Sequence, residues 1–181
     1  MDRSRFLLLF LLTLLSFQAE GILILGRVVA VEDGDTVLVA MPAGEVRVQL
    51  SGVDAPEAEV NPKFKVDVGR TGLAAEALLP LGRAATAHLK SLLPKGREVI
   101  FSGDPEIRDK YGRLPGELIT RDGRSVNIAM VSAGFARVLE SPSVPPDLME
   151  QLKKAWERAE HQKLGLWRSH ATVFRAWAGI R

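Results

Sequence analysis

Hydrophobic and polar positions alternate along the first part of the chain in the way that is typical of β-strands. Residues 22–31 and 36–40 are rich in β-branched and apolar side chains, and in 46–50 apolar residues alternate strictly with polar ones. A period of two places every second side chain on the same face of a half-buried strand. The pattern therefore predicts three strands, with a turn at 41–45 between the second and the third.

The second half of the chain is predicted to be richer in helix. Residues 58–79 show little periodicity in their apolar positions, which indicates a long surface loop with a short helical turn at 73–79. Apolar spacing and the positions of Ser, Pro and Gly then predict further elements. These are helices at 84–93, 125–132 and 145–163, and strands at 97–101, 114–119 and 135–139.

The first 21 residues have the layout of a secretory signal peptide. Two arginines precede an apolar run at 6–17, and the small residues Ala19 and Gly21 follow it. This order is typical of a signal that is removed on export, and we expect cleavage after Gly21 and a secreted or periplasmic protein. The apolar run is shorter than the roughly 20 residues that cross a bilayer. An uncleaved N-terminal membrane anchor is the alternative.

The length of the chain favours one folded domain, and its small net charge gives that domain no strong overall electrostatic field. The 181 residues carry 24 Lys and Arg against 22 Asp and Glu, so a nucleic-acid partner would have to be bound by local contacts. The absence of cysteine excludes disulfides and cysteine-ligated zinc.

We assign the domain to residues 22–170 and a C-terminal tail to residues 171–181. In this tail, Trp177 is expected to pack against the protein rather than to stack on bases.

Candidate chemistry lies in two acidic segments and one basic segment. They are Asp33-Gly34-Asp35-Thr36, Asp54-Ala55-Pro56-Glu57 and Asp109-Lys110-Tyr111-Gly112-Arg113. Separated carboxylates and a distant arginine are the groups that metal-assisted phosphoryl chemistry needs. Each segment alone also suits a simple turn. An EF-hand is excluded, because Val37 stands where a third ligand should fall and no glutamate closes the loop.

Taken together and in order, these segments resemble the signatures of the thermonuclease (staphylococcal-nuclease-like) family. The resemblance covers nearly all of the chain after the signal segment and continues through Val29-x-Val31, Leu50-x-Gly52-Val53, Val126-Asn127, Gly134-Phe135-Ala136 and Leu164-Gly165-Leu166-Trp167. It implies an α+β, mainly β protein with an OB-fold, which is a five-stranded Greek-key β-barrel with about three packed helices. The strands and helices read from periodicity agree with this expectation.

The resemblance also implies a role for each residue of a metal and catalytic site. Asp35 and Asp54 would bind Ca²⁺ through carboxylate oxygens, together with the backbone carbonyl of Ala55. Glu57 would act as the general base that activates water, and Arg113 would bind the phosphoryl oxygens and assist the leaving group.

The implied activity is hydrolysis of phosphodiester bonds in DNA or RNA, which leaves 3′-phosphates. Tyr111 and Lys110 would lie beside the terminal phosphate and nucleotide, and the substrate would be single-stranded or frayed. An enzyme that reads the backbone needs no code for bases. We expect a monomer and predict no protein partner.

Gln49 departs from the family pattern, which has an arginine five residues before the metal-binding Asp54. A glutamine lacks both the charge and the planar fork of a guanidinium. Arg47, two residues earlier on the same strand face, is a possible substitute. The alternative to a nuclease is therefore a catalytically weak OB-fold module that binds nucleic acid without cleaving it efficiently.

Overall fold

The computed structural model describes residues 22–180, so the predicted signal peptide and its cleavage position lie outside the described residues. Within this range the strands are β1 (Ile22–Val31), β2 (Thr36–Met41), β3 (Gly44–Leu50), β4 (Val53–Asp54), β5 (Glu98–Gly103), β6 (Leu114–Thr120) and β7 (Arg137–Val138). The helices are α1 (Pro62–Thr71), α2 (Ala75–Leu92), α3 (Val126–Ser132), α4 (Pro146–His161), α5 (Leu166–Ser169) and α6 (Ala171–Ala178). Among the helices of residues 22–180, none has the length and apolar character needed to cross a membrane.

Five strands close into a barrel in the order β1-β2-β3-β6-β5, and β5 pairs back with β1. The pairs are antiparallel except for β3 and β6, which run parallel from Val48↔Leu114 to Leu50↔Gly116. Closure leaves no open sheet edge on these strands. The predicted OB-fold, an α+β protein with a five-stranded barrel, is confirmed.

The alternation seen in the sequence points apolar side chains into the barrel. Val48 and Leu50 on β3 are fully buried, and so are Phe101 on β5 and Leu118 on β6. Gly116 leaves room for the Phe101 ring, since a Cβ at this glycine would lie 2.2 Å from a ring carbon. Burial of this apolar surface is the main stabilising contribution to the barrel.

The long loop predicted at 58–79 is wrong, because two helices occupy most of it. The Asn61 side chain accepts a hydrogen bond from the backbone of Phe64 and caps α1, and Pro62 fills the first helical position. Helix α2 begins at Ala75 rather than at the predicted residue 84, and it contains Pro80. Proline lacks a helical donor and normally argues against helix.

Packing in a second apolar cluster explains why this region is helical. Leu78 and Leu81, on either side of Pro80, are buried in it, and so is Phe64 of α1. The cluster lies outside the barrel and joins the N-terminal part of α2 to the C-terminal helices. Its buried members are Phe64, Leu78, Leu81, Ala159, Leu166, Trp167, Phe174 and Trp177.

The segment 171–181, interpreted from the sequence as a tail, contains α6 in the structure. Phe174 is fully buried and Trp177 is 1% exposed, as a packing role for this tryptophan requires. The Trp177 indole Nε1 also donates a hydrogen bond of 2.9 Å to Asp67 on α1. Helix α6 is therefore an integral part of the domain.

The last strand predicted at 135–139 is shorter than expected and lies outside the barrel. Only Arg137 and Val138 pair, and they pair antiparallel with Asp54 and Val53 of β4. This small ladder connects the second acidic segment to the C-terminal half of the chain.

Replacing Trp177 with alanine tests whether α6 is part of the folded core. We expect Trp177→Ala to lower the free energy of unfolding by about 3–5 kcal/mol, because it leaves a cavity and removes the partner of Asp67. Urea unfolding followed by circular dichroism measures this change. Thr172→Ala, on the exposed side of the same helix, should stay within about 0.5 kcal/mol of the parent protein. Equal stability of the two variants would contradict the assignment.

Candidate active site

An open cleft of about 510 Å³ lies at one mouth of the barrel, between the start of α1, the 109–113 turn and the segment after β7. Most residues that the sequence marked as functional line this cleft. They are Asp35, Gln49, Asp54, Glu57, Lys110, Tyr111 and Arg113. Residues that lie far apart in the chain are therefore gathered around one space.

Asp35 ends the turn between β1 and β2 and is only 5% exposed. Asp33 accepts a hydrogen bond from the Asp35 backbone and so holds the turn. The Asp35 carboxylate accepts bonds of 3.0 Å from the Thr36 hydroxyl and from the backbone N–H of Ala55. Burial raises the pKa of Asp35, as do the charges of Asp33 and Asp54, and Lys63 acts in the opposite direction. A buried carboxylate of this kind favours a nearby cation.

Asp54 follows Val53 in β4 and is also 5% exposed. Its Oδ2 accepts from the Arg137 guanidinium, whose Nε and Nη2 both lie 2.8 Å away. Arg137 also donates to the carbonyls of Trp177 and Ala178 at the end of α6. The C-terminal helix therefore helps to orient Asp54.

Glu57 is 8% exposed and is positioned by contacts with both α1 and α2. Its Oε2 accepts a hydrogen bond of 2.5 Å from the side-chain amide of Asn61, the residue that caps α1. Gly82 of α2 lies directly against the Glu57 backbone, since a Cβ there would come within 2.0 Å of the Glu57 carbonyl oxygen. A side chain at Gly82 would push this segment out of place.

Lys63, on the first turn of α1, places its ammonium among the acidic groups. Its Nζ lies 3.0 Å from Asp54 Oδ1, 2.6 Å from Glu57 Oε1 and 3.1 Å from the carbonyl oxygen of Ala55. Burial tends to lower the pKa of Lys63, but the charges of Asp54, Asp35 and Glu57 outweigh it and the net shift is upward. The amine is therefore positively charged where it meets the carboxylates.

Arg113 faces these groups from the other side of the cleft. Its Nε lies 2.8 Å from Asp109 Oδ2, and its Nη1 donates to the Thr36 hydroxyl and lies 4.0 Å from Asp35. Burial alone would raise the pKa of Asp109, but hydrogen bonds from Arg113 and Tyr111 outweigh it and lower the pKa. Asp109 thus remains ionised and orients the guanidinium.

Tyr111 and Lys110 lie at the rim of the cleft. The Tyr111 ring is exposed, and the Arg113 guanidinium carbon lies 5.2 Å from its centroid. The Lys110 ammonium lies 5.0 Å from the same centroid. An exposed aromatic ring beside two cations can stack on a base while the cations contact the phosphate of that nucleotide.

Gln49 lines the cleft, whereas Arg47 points elsewhere. The Gln49 amide donates a 3.4 Å bond to the carbonyl of Val53, and its oxygen accepts from Thr36. Arg47 forms an exposed ion pair with Glu32, with Nε at 2.7 Å from Oε2. It is absent from the lining of the cleft. In the structure, Arg47, the possible substitute for the family arginine, is therefore paired with the Glu32 carboxylate.

The oxygens of the cleft fit a hard cation, although the residues 22–180 hold no cluster of three or more His, Cys, Asp or Glu side chains around one point. Oxygens from Asp54, Ala55 and Glu57 converge on a single positively charged atom, the Lys63 ammonium nitrogen. Carboxylate and carbonyl oxygens are the ligands that Ca²⁺ prefers. Asp35 adds a buried carboxylate next to them.

Sequence reasoning missed several of the groups that complete this site. Lys63 and Asn61 lie in the segment predicted as a loop, where no periodicity drew attention to them. Arg137 directly follows the motif Gly134-Phe135-Ala136, and Asp109 was included in the 109–113 segment without a role of its own. A search for opposite charges near each motif would have found these two.

This chain is similar to known proteins over most of its length. Residues 47–169 match the family model described as staphylococcal nuclease homologue. A thermonuclease of Staphylococcus intermedius is 33% identical over 139 residues, which are 75% of this chain and 71% of the relative. An uncharacterized endonuclease of Escherichia coli O157:H7 is 35% identical over 142 residues, 78% of this chain and 76% of the relative.

A third relative is a much longer protein. Endonuclease YhcR of Bacillus subtilis (strain 168) is 32% identical over 144 residues, which are 78% of this chain but only 11% of the relative. This chain therefore corresponds to only a small part of that relative. Since the family model covers most of the chain and its motif residues meet in one cleft, the protein belongs to the staphylococcal nuclease homologue family.

Proposed function

We propose that the protein is a Ca²⁺-dependent nuclease that hydrolyses phosphodiester bonds of DNA and RNA and leaves 3′-phosphates. The observation that carries the proposal is the cleft in which the Glu57 carboxylate and the Arg113 guanidinium face a common space beside Asp35 and Asp54. Relatives named endonuclease and thermonuclease support this activity.

In the proposed reaction, Glu57 accepts a proton from the attacking water and so acts as the general base. Arg113, held by Asp109, binds the phosphoryl oxygens as negative charge builds up on them. The bond from phosphorus to the 5′-oxygen then breaks. The 5′-oxygen leaves with the bonding electrons and takes up a proton from water, and the oxygen of the attacking water remains in the 3′-phosphate. Asp35, Asp54 and the carbonyl of Ala55 would hold the Ca²⁺, which supplies positive charge close to the phosphate.

We propose a single-stranded or frayed substrate. Tyr111 presents an exposed ring next to two cations at the rim of the cleft. Stacking on such a ring requires a base that has left its duplex partner. Contacts between cations and the phosphate backbone do not depend on the base sequence, which favours cleavage with little sequence preference.

A second candidate function is binding of nucleic acid with little cleavage, and Gln49 is the residue that favours it. It stands where the family arginine would contact the phosphate, and Arg47 is engaged with Glu32. Loss of one preorganised donor can lower a rate by about 10²–10³.

Cleavage assays with single-stranded DNA and RNA test the proposed function. The purified protein should cleave both with Ca²⁺ and lose the activity in chelator. Glu57→Gln should lower the rate by about 10²–10⁴, because it removes the general base with little change in shape. Glu106→Gln makes the same chemical change on an exposed turn and should leave the rate unaltered. Binding without cleavage by the folded parent protein would support the second candidate instead.

Restoring the arginine tests the meaning of Gln49. Gln49→Arg should raise the cleavage rate by about 10²-fold, because a guanidinium adds a charged, bidentate contact to the phosphate. Arg47→Ala should leave the rate within about twofold, since its guanidinium pairs with Glu32 and does not line the cleft. A large loss of rate in Arg47→Ala would show that this arginine reaches the substrate after all.

We also propose that the protein is exported, and the basic and apolar composition of residues 1–21 supports this. Expression of the full chain in a Gram-negative host should place the protein in the periplasm, with a new N-terminus at residue 22. A variant that lacks residues 2–21 should remain in the cytoplasm. Recovery of the full chain from the membrane fraction with its N-terminus intact would indicate the anchor instead.

A further inference from the structure

Lys63 is the charged group of the cleft that the proposed function does not use. We propose that Lys63 is a built-in competitor of the divalent cation: its ammonium binds the metal-ligating oxygens in the metal-free protein and must leave them before the ion binds. Lys63 therefore sets the affinity of the site for the metal. This inference rests on the proposed function, because that function supplies the metal site.

The contacts of Lys63 are those expected of the ion itself. Its Nζ lies within 3.1 Å of three oxygens, from Asp54, Ala55 and Glu57. Two of these, the Asp54 carboxylate and the Ala55 carbonyl, are the groups expected to bind Ca²⁺. Calcium lies at about 2.3–2.6 Å from its ligands, so an ion and an ammonium cannot occupy this position together.

The position of Lys63 is fixed by the fold of α1. Asn61 caps the helix, Phe64 is buried in the second apolar cluster, and Asp67 accepts a hydrogen bond from Trp177. These contacts hold the backbone of α1 beside the cleft. The Lys63 side chain is 39% exposed, so its flexible stem can turn toward solvent without any change in α1.

Charge makes the competition strong. Asp54 already carries the Arg137 guanidinium on Oδ2, and Lys63 occupies Oδ1. A divalent ion entering beside an ammonium that stayed in place would meet strong repulsion between the two positive charges. The ion must therefore displace Lys63. Only molecules in which Lys63 has left the oxygens can bind the ion, so the apparent dissociation constant for the metal is the intrinsic constant divided by the fraction of such molecules.

The same contacts predict a stabilising role for Lys63 in the absence of metal. Asp54 and Glu57 are both nearly buried, and the repulsion between their carboxylates is reduced by the ammonium that contacts both. Removing the amine should therefore destabilise the metal-free protein and increase the stabilisation that added metal provides.

Calorimetric titration of the chelator-treated full chain with CaCl₂ tests the inference. Lys63→Met keeps an unbranched side chain of similar length and removes the charge, and it should lower the dissociation constant at least about tenfold, in line with removal of a competing state. Lys65→Met, on the exposed side of the same helix, should match the parent protein within about twofold. Lys63→Arg retains the charge and should bind Ca²⁺ no more tightly than the parent.

Thermal unfolding provides a second readout that needs no activity. In chelator Lys63→Met should unfold at a lower temperature than the parent, and CaCl₂ should raise its Tm by more than it raises that of the parent. If Lys63→Met does not fold in chelator, Lys63→Gln retains a polar group and serves in its place. Unchanged or weaker Ca²⁺ binding in the uncharged variants would overturn the inference, as would an absence of binding by every variant.

These measurements separate the inference from the proposed function. Tighter Ca²⁺ binding in Lys63→Met, with no cleavage by any variant, would support the competition and overturn the nuclease. Calcium-dependent cleavage by the parent, with equal Ca²⁺ affinities in Lys63→Met and Lys65→Met, would support the nuclease and overturn the competition.

Discussion

Repulsion among carboxylates is the constraint on which the cleft depends. Asp35, Asp54 and Glu57 are each less than a tenth exposed, and all three line the same cleft. Buried charges of one sign remain ionised only when opposite charges or hydrogen bonds compensate them. The protein provides this compensation from different elements: Lys63 from α1 and Arg137 from β7, with Arg113 at 4.0 Å from Asp35. Asp54 and Glu57 are thus tied to parts of the chain that lie outside the barrel.

The fold brings these charges together through close backbone contacts as well as ion pairs. Gly82 lets α2 lie directly on the backbone of Glu57, and Gly34 lets the first acidic turn approach Ala55, whose Cβ would lie 2.6 Å from a Cβ at that glycine. Asn127 on α3 connects the barrel to the helices, because its buried amide binds the carbonyls of Ser51 and Gly116. Such contacts place the acidic segments within fractions of an ångström, which catalytic groups require.

Part of this site could be predicted from the residues alone. The acidic segments and the 109–113 turn carry local signals. Neighbouring residues determine an Asp-Gly turn, and they also determine a turn in which an aspartate accepts hydrogen bonds from backbone N–H groups two and four residues later. The partners of these groups could not be predicted in the same way. Lys63 meets Glu57 only because Asn61 starts a helix between them. Strand alternation puts Arg47 on the face of Gln49 and makes it a possible substitute for the family arginine, and only the tertiary structure shows that its guanidinium pairs with Glu32.

The sequence by itself determined the strands, because their two-residue period and the turns between them are local properties. Their closure into a five-stranded barrel was implied by the family resemblance and not by the periodicity. Tertiary structure decided the helical state of 62–71 and of the start of α2. Pro80 and weak periodicity argue against helix there, and only burial of Phe64, Leu78 and Leu81 outweighs them. It likewise decided that α6 belongs to the domain, since the partners of Trp177 lie about a hundred residues earlier in the chain. The position of Lys63 in the cleft depends on the same packing, because this residue lies on a helix whose position no local pattern determines.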